Sequence, residues 1–212
     1  MPLGDLGVSM LVVVRRRARP GQEEALVAAM TAEVYGSRPP RSSRARVFQG
    51  LNDPRAALYV AEWSSREAFL THNSTPLVAL DALCTSPPRR WFCQALDVYE
   101  VGLTPPRVLA CSTFAAPLAA AARLIDYLLE QAGPLLYQQP GCVLRALYQD
   151  VDRPGRLISL KGWRSDEDLE AAMLTLSPGL DSHIRGLGAS VDHFAGRLRA
   201  EIDRSASADL PG

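Results

Sequence analysis

Tyr59, Trp63, Phe69 and His72 stand close together in the chain, and their types could hold a flat apolar guest and move a proton on it. An indole and a phenyl ring supply apolar area, and a phenol gives or accepts a hydrogen bond. An imidazole titrates near neutral pH, where a general base is most useful. One hundred residues further on, the equivalent places hold Ser159, Trp163, Leu169 and Ala172, and among them lies Lys161, the one lysine of the chain. If that amine is buried, desolvation lowers its pKa and fits it to act as a base or to bind an anion. Each side chain also has a structural role open to it. The tryptophans suit packing at a strand end, His72 suits a helix surface or cap, and a Lys161 whose amine reaches water would be an ordinary sheet residue.

These positions come in pairs because the chain is written twice. Val47-Phe48-Gln49, Asn52-Asp53-Pro54, Leu58-Tyr59-Val60 and Trp63-Ser64-Ser65-Arg66-Glu67 align without a gap on Leu147-Tyr148-Gln149, Asp152-Arg153-Pro154, Ile158-Ser159-Leu160 and Trp163-Arg164-Ser165-Asp166-Glu167. Identities fall at Gln, Pro, Trp, Ser and Glu, and the scarcity of Trp and Pro makes chance a poor explanation. Upstream, Leu11-Val12-Val13-Val14 matches Val108-Leu109-Ala110-Cys111; downstream, Trp91-Phe92 matches His193-Phe194. The offsets differ by a few residues, which places the length changes in loops. The expected domains are residues 8–102 and 105–203, with 204–212 a disordered tail.

Each repeat reads as strand, helix, strand, strand, helix, strand. In the first, Val12-Val13-Val14 is a β-branched run, and Pro20-Gly21-Gln22-Glu23-Glu24 starts a helix with carboxylates at its positive end. Leu26, Ala29, Met30 and Val34 then recur at helical spacing. Strands over 44–50 and 56–63 flank the turn formers Asn52-Asp53-Pro54-Arg55, which predicts a hairpin. Ser64 or Ser65 caps the next helix with Glu67 in its first turn, and Ser165 with Glu167 repeats the arrangement. Thr75-Pro76 and Ser177-Pro178 read as helix restarts, and Arg15-Arg16-Arg17 as a solvated strand end. Alternation along the third strand puts Tyr59, Ala61 and Trp63 on one face, as it does Ser159, Lys161 and Trp163. Four antiparallel strands with two helices on one face make a ferredoxin-like unit. The predicted fold class is therefore α+β, two ferredoxin-like repeats forming an intramolecular pseudo-twofold α/β barrel.

Glu62-Trp63-Ser64-Ser65-Arg66-Glu67-Ala68-Phe69 followed by His72 resembles the "E-W-x-S-x-E-A-(Y/F)…H" stretch of the antibiotic biosynthesis monooxygenase domains of the dimeric α/β-barrel superfamily. Gly162-Trp163-Arg164-Ser165-Asp166-Glu167 is a weaker form of it, and Gln139-Pro140-Gly141-Cys142 is similar to the family's "x-P-G-x" before the second strand. The resemblance implies a pocket on the helix-facing side, lined by Trp63, Phe69 and Trp163. It implies cofactor-independent oxidation of an aromatic polyketide, anthrone or quinol in type, with dioxygen. Where the polyketide oxygenases of the family carry a proton-relaying Tyr, this chain has Phe69 and Leu169, so proton transfer falls to Tyr59, His72 or Lys161. The haem-degrading members use an Asn on the first strand, which is missing here, and only His183 falls near the iron ligand's place. The second reading open to the family is a polyketide cyclase, or a ligand-binding or scaffold protein.

Composition fits such a reading. Twenty-three basic and twenty-three acidic residues cancel, leaving no charge footprint for nucleic acid or an anionic membrane. The four cysteines lack paired metal-binding spacing, and no glycine-rich dinucleotide loop follows a strand. The expectation is no cofactor and no metal, a small aromatic substrate and dioxygen as partners, a homodimer of the fused pair as a further state open to it, and a cytoplasmic location.

Overall fold

The computed structural model describes residues 10–36, 42–72, 80–101 and 104–203. Thr75-Pro76 and the expected tail lie outside them. The chain is an α+β fold of ferredoxin-like repeats, and one of its two compact units is not continuous in sequence. The first takes the chain up to Phe92 together with residues from Leu198 onward; the second is Cys93–Arg197.

In the first unit β1 (Met10–Arg17) and β2 (Ser42–Gly50) flank β3 (Ala56–Trp63), both antiparallel to it. Helix α1 (Glu23–Gly36) follows β1, and the short α2 (Arg66–His72) follows β3. Gly21 has φ +79°, a left-handed conformation, so Pro20-Gly21 forms a turn and the helix begins only at Glu23. Leu26, Val27, Met30 and Val34 of α1 bury themselves on Val12, Val14, Ala45, Val47, Ala57 and Ala61. Each fully buried aliphatic side chain contributes about 1.5–3 kcal/mol. Arg16 corrects the expected solvated strand end. Alternation turns it away from Arg15 and Arg17, and it is buried with its guanidinium on Asp81 at 2.6 Å.

In the second unit β7 (Arg156–Trp163) pairs with β5 (Val108–Ala115) on one side and β6 (Cys142–Asp150) on the other. After β5 come α3 (Leu118–Tyr127), one π-helical turn π1 (Leu128–Ala132) and α4 (Gly133–Tyr137). Pro134 has no N–H to give the preceding turn, which accounts for the widening there. Helix α5 (Asp166–Gly186) runs without the break expected at Ser177-Pro178. One proline removes one helical hydrogen bond, and α5 has turns on both sides to hold it.

Strands β4 (Arg89–Glu100) and β8 (Ser190–Asp203) each pass from one unit into the other. Within the first unit the hydrogen-bonded order is β4-β1-β3-β2-β8, and within the second β4-β6-β7-β5-β8.

The repeated identities all have local structural work. The Gln49 side-chain amide donates to the Pro54 carbonyl at 3.1 Å and Gln149 to Pro154 at 2.8 Å, clasping the two hairpins alike. Ser65 Oγ accepts from the Ala68 N–H at 3.1 Å, and Ser165 Oγ from the Asp168 N–H at 3.2 Å. Hydrogen bonding to the backbone, then to the capping serine, holds the carboxyls of Glu67 and Glu167 below their usual range. The serine thus caps each helix, and the carboxylate two residues on sits at the helix's positive end.

Candidate functional site

In the first unit the sequence-predicted residues do come together. Trp63 closes β3 and is 3% exposed. Its ring meets Phe69 edge-on at 5.4 Å and lies tilted against His72 at 5.4 Å. Phe69 in turn packs edge-on to Phe92. Tyr59 shares the face of Trp63; burial pushes its phenol up to about 12, with Trp63 opposing the shift and the charge of Glu33 adding to it. At neutral pH Tyr59 is therefore a hydrogen-bond donor and not a base. Glu33 itself, on α1, has a carboxyl raised by burial and lowered by His72. The periodicity of α1 gave no reason to single it out.

The second unit assembles a longer polar chain. Lys161 is 7% exposed, and its Nζ donates to Ser112 Oγ at 2.9 Å. Ser112 Oγ lies 3.0 Å from His193 Nδ1, and His193 Nε2 lies 3.6 Å from Asp181 Oδ1. The strand register explains the assembly. Ser112 of β5 sits directly opposite Ser159 on β7 and His193 on β8, and Lys161, two residues on from Ser159, is its diagonal neighbour. Helix α5 adds Asp181. The set leads from a buried amine through a buried hydroxyl to an imidazole and a carboxylate that are both partly exposed. A His193 tautomer with its proton on Nε2, toward Asp181, lets Ser112 donate to Nδ1 and orders the whole chain in one direction.

Burial pulls the pKa of Lys161 down, and Cys111, Asp181 and Cys142 only partly offset it. Burial also lowers His193, helped by the charge of Lys161 and opposed by Asp181. Burial of this kind favours the neutral form of an amine. The amine lies in the wall of a cavity of about 20 Å³ whose polar lining is Lys161, Ser159 and Arg145 and whose apolar lining includes Phe114, Leu128, Ala132, Leu147 and Leu180. That volume admits a water-sized guest.

Trp163 is 1% exposed at the end of β7. The indole N–H of Trp163 is buried without an acceptor among the described residues. Among the candidate residues, then, Tyr59, Trp63, Phe69 and His72 form one group in the first unit, and Lys161 belongs to another in the second. Ser112, Asp181 and Glu33 had no signal of their own in the sequence, because each gains meaning only from a partner supplied by another element. His183, the residue nearest an iron ligand's place, stacks on Tyr127 at 3.8 Å. Among the described residues no group of three or more His, Cys, Asp or Glu is placed to hold a metal ion, and no helix is long and apolar enough to cross a membrane.

The sequence matches the model of the family described as antibiotic biosynthesis monooxygenase over residues 9–79 and again over 110–175. No curated protein matches. Among solved structures, an anthrone oxidase-like protein superposes with a TM-score of 0.78 at 14% identity, covering 96% of each chain. A ferredoxin-fold protein related to antibiotic biosynthesis monooxygenases from Listeria monocytogenes gives a TM-score of 0.54 at 12% identity, over 92% of this chain and 98% of that one. A monooxygenase-like protein from Listeria innocua gives 0.52 at 10% identity, over 91% and 96%.

Proposed function

We propose that this chain, which belongs to the antibiotic biosynthesis monooxygenase family, is a cofactor-independent monooxygenase that oxidises an enolisable aromatic substrate of anthrone or quinol type with dioxygen, in antibiotic or pigment biosynthesis. The observation that carries the reading is the buried Lys161 amine in the wall of an apolar cavity, hydrogen-bonded through Ser112 to His193.

The chemistry asks for a base and an apolar surround. Neutral Lys161 takes a proton from the activated CH₂ or hydroxyl of the substrate, and the ammonium formed stays beside the resulting carbanion or enolate. That electron-rich anion reduces dioxygen and forms a C–O bond, giving a peroxide. Cleavage of the O–O bond with loss of the second hydrogen on the same carbon leaves a carbonyl and one water, so one oxygen atom enters the product and the other leaves as water. The proton held by Lys161 passes to Ser112, on to His193 Nδ1, and out from Nε2 toward Asp181 and solvent. In the first unit Tyr59, His72 and Trp63 offer a donor, a base and an aromatic wall for the same class of ligand, with Glu33 orienting His72.

A substrate with fused rings needs more room than 20 Å³, and π1 and α4 must move to admit it, because Leu128, Ala132 and Leu136 line the cavity from those turns. The same base would serve a cyclase, in which the enolate attacks a carbonyl of its own molecule in place of dioxygen. Oxygen uptake with anthrone or a hydroquinone separates the two. The oxygenase reading expects uptake that falls at least tenfold in Lys161→Met, and ring closure without uptake establishes the cyclase.

A further inference from the structure

Arg145 and Lys161 occupy directly opposed positions of β6 and β7. Residues so paired share a face, with their Cβ atoms about 4.5–5.5 Å apart, and like charges there are destabilising. Both are buried, Arg145 at 6% exposure, and both line the one cavity. Arg145 is nonetheless held firmly. Its guanidinium pairs with Asp97, lies over the Tyr137 ring at 4.4 Å, and fills the space where a side chain on Gly133 would begin. One buried nitrogen lacks a partner: the Nε–H has no acceptor among the described residues, which is unfavourable for a buried donor.

We infer that the cavity is an oxyanion site, in which Arg145 anchors a carboxylate or enolate oxygen of the ligand and Lys161 supplies a second N–H contact. An oxyanion accepts from the orphaned Nε–H and receives the charge-assisted hydrogen bonds that arginine gives best. The inference deepens the reading above, on which it rests for the identity of the reacting molecule: the substrate class narrows to enolisable aromatics that carry an ionised oxygen. Asp97 leaves one positive charge of the pair uncompensated whenever Lys161 is protonated, and the ligand's charge completes the balance.

Formate and formamide test it, being nearly the same size and differing in charge. Binding to the full-length protein is followed by isothermal titration and by thermal shift, at constant ionic strength and without substrate or oxygen measurement. Formate should bind and raise the unfolding temperature while formamide does neither. Arg145→Met and Arg145→Lys should weaken formate binding at least tenfold, since both lack the Nε–H, and Lys161→Met should weaken it severalfold. Gly133→Ala keeps the charge but displaces the guanidinium, and should weaken binding as well, which covers the case of a substitution at Arg145 that does not fold. Arg199→Met, at an exposed arginine, should leave binding unchanged. Equal binding of formate and formamide, absence of formate binding, or full formate binding by Arg145→Lys and Gly133→Ala overturns the inference. Formate binding without any oxygen uptake would instead uphold the oxyanion site and remove the oxygenase.

Discussion

Lys161 costs the fold stability, and that cost has a sign in pH. Its folded pKa lies below the unfolded one because burial disfavours the ammonium. Between the two values the unfolded chain binds the extra proton, so this residue's contribution becomes less unfavourable as pH rises and vanishes above the unfolded pKa. Lys161→Met should therefore stabilise the protein by about 1 kcal/mol or more, roughly 2–4 °C for a chain of this size, with the gain largest at lower pH and shrinking toward pH 10. Unfolding curves across that range check it, and a variant less stable than wild type at every pH contradicts it. Trp63→Ala should behave in the opposite way. It empties a packed cluster and should cost about 3–5 kcal/mol in denaturant titrations. At this scale the sequence was half legible. Lys161 stood out as the only lysine, but its role hung on burial, and Ser112, Asp181, Arg145 and Glu33 were silent because strand register and helix packing give them their partners.

The helices and hairpins carry the part that the repeat made readable. Gln49 with Pro54, Ser65 with Glu67, and their counterparts close local structures within a few residues of one another, so short-range chemistry specifies them without the rest of the fold. Ser165→Ala should cost about 1 kcal/mol through the lost cap of α5, measurable as a lower denaturation midpoint with an unchanged slope; no change would show the cap to be redundant. Gly141 has φ +75° and stands where a Cβ would strike Asp168, so Gly141→Ala should destabilise more than that. The π turn was not legible, because it depends on Pro134 meeting a helix already committed on both sides. What the repeats share is the framework, and the chemistry lies where they differ: Lys161 stands opposite Ala61 in the alignment, Arg145 opposite Ala45, and His193 opposite Trp91.

The two compact units exchange strand segments. Residues 93–100 of β4 belong to the second unit and residues from Leu198 of β8 to the first, although the sequence repeat places them the other way. Repeat detection follows ancestry, and compactness follows hydrogen bonding, as in the pairing of Cys93–Glu100 with β6. Residues 10–102 and 105–203 expressed apart should each lack a segment of their own unit and should aggregate or self-associate in size-exclusion chromatography; two monomeric, cooperatively folding halves would argue against this organisation. For the molecule as a whole the decisive observation is oxygen consumption with an anthrone or hydroquinone, comparing wild type with Lys161→Met after both are shown to be folded. The account predicts uptake by the wild type and a fall of about a hundredfold to ten-thousandfold in the variant, the range general base catalysis spans. Equal uptake by both proteins would contradict it.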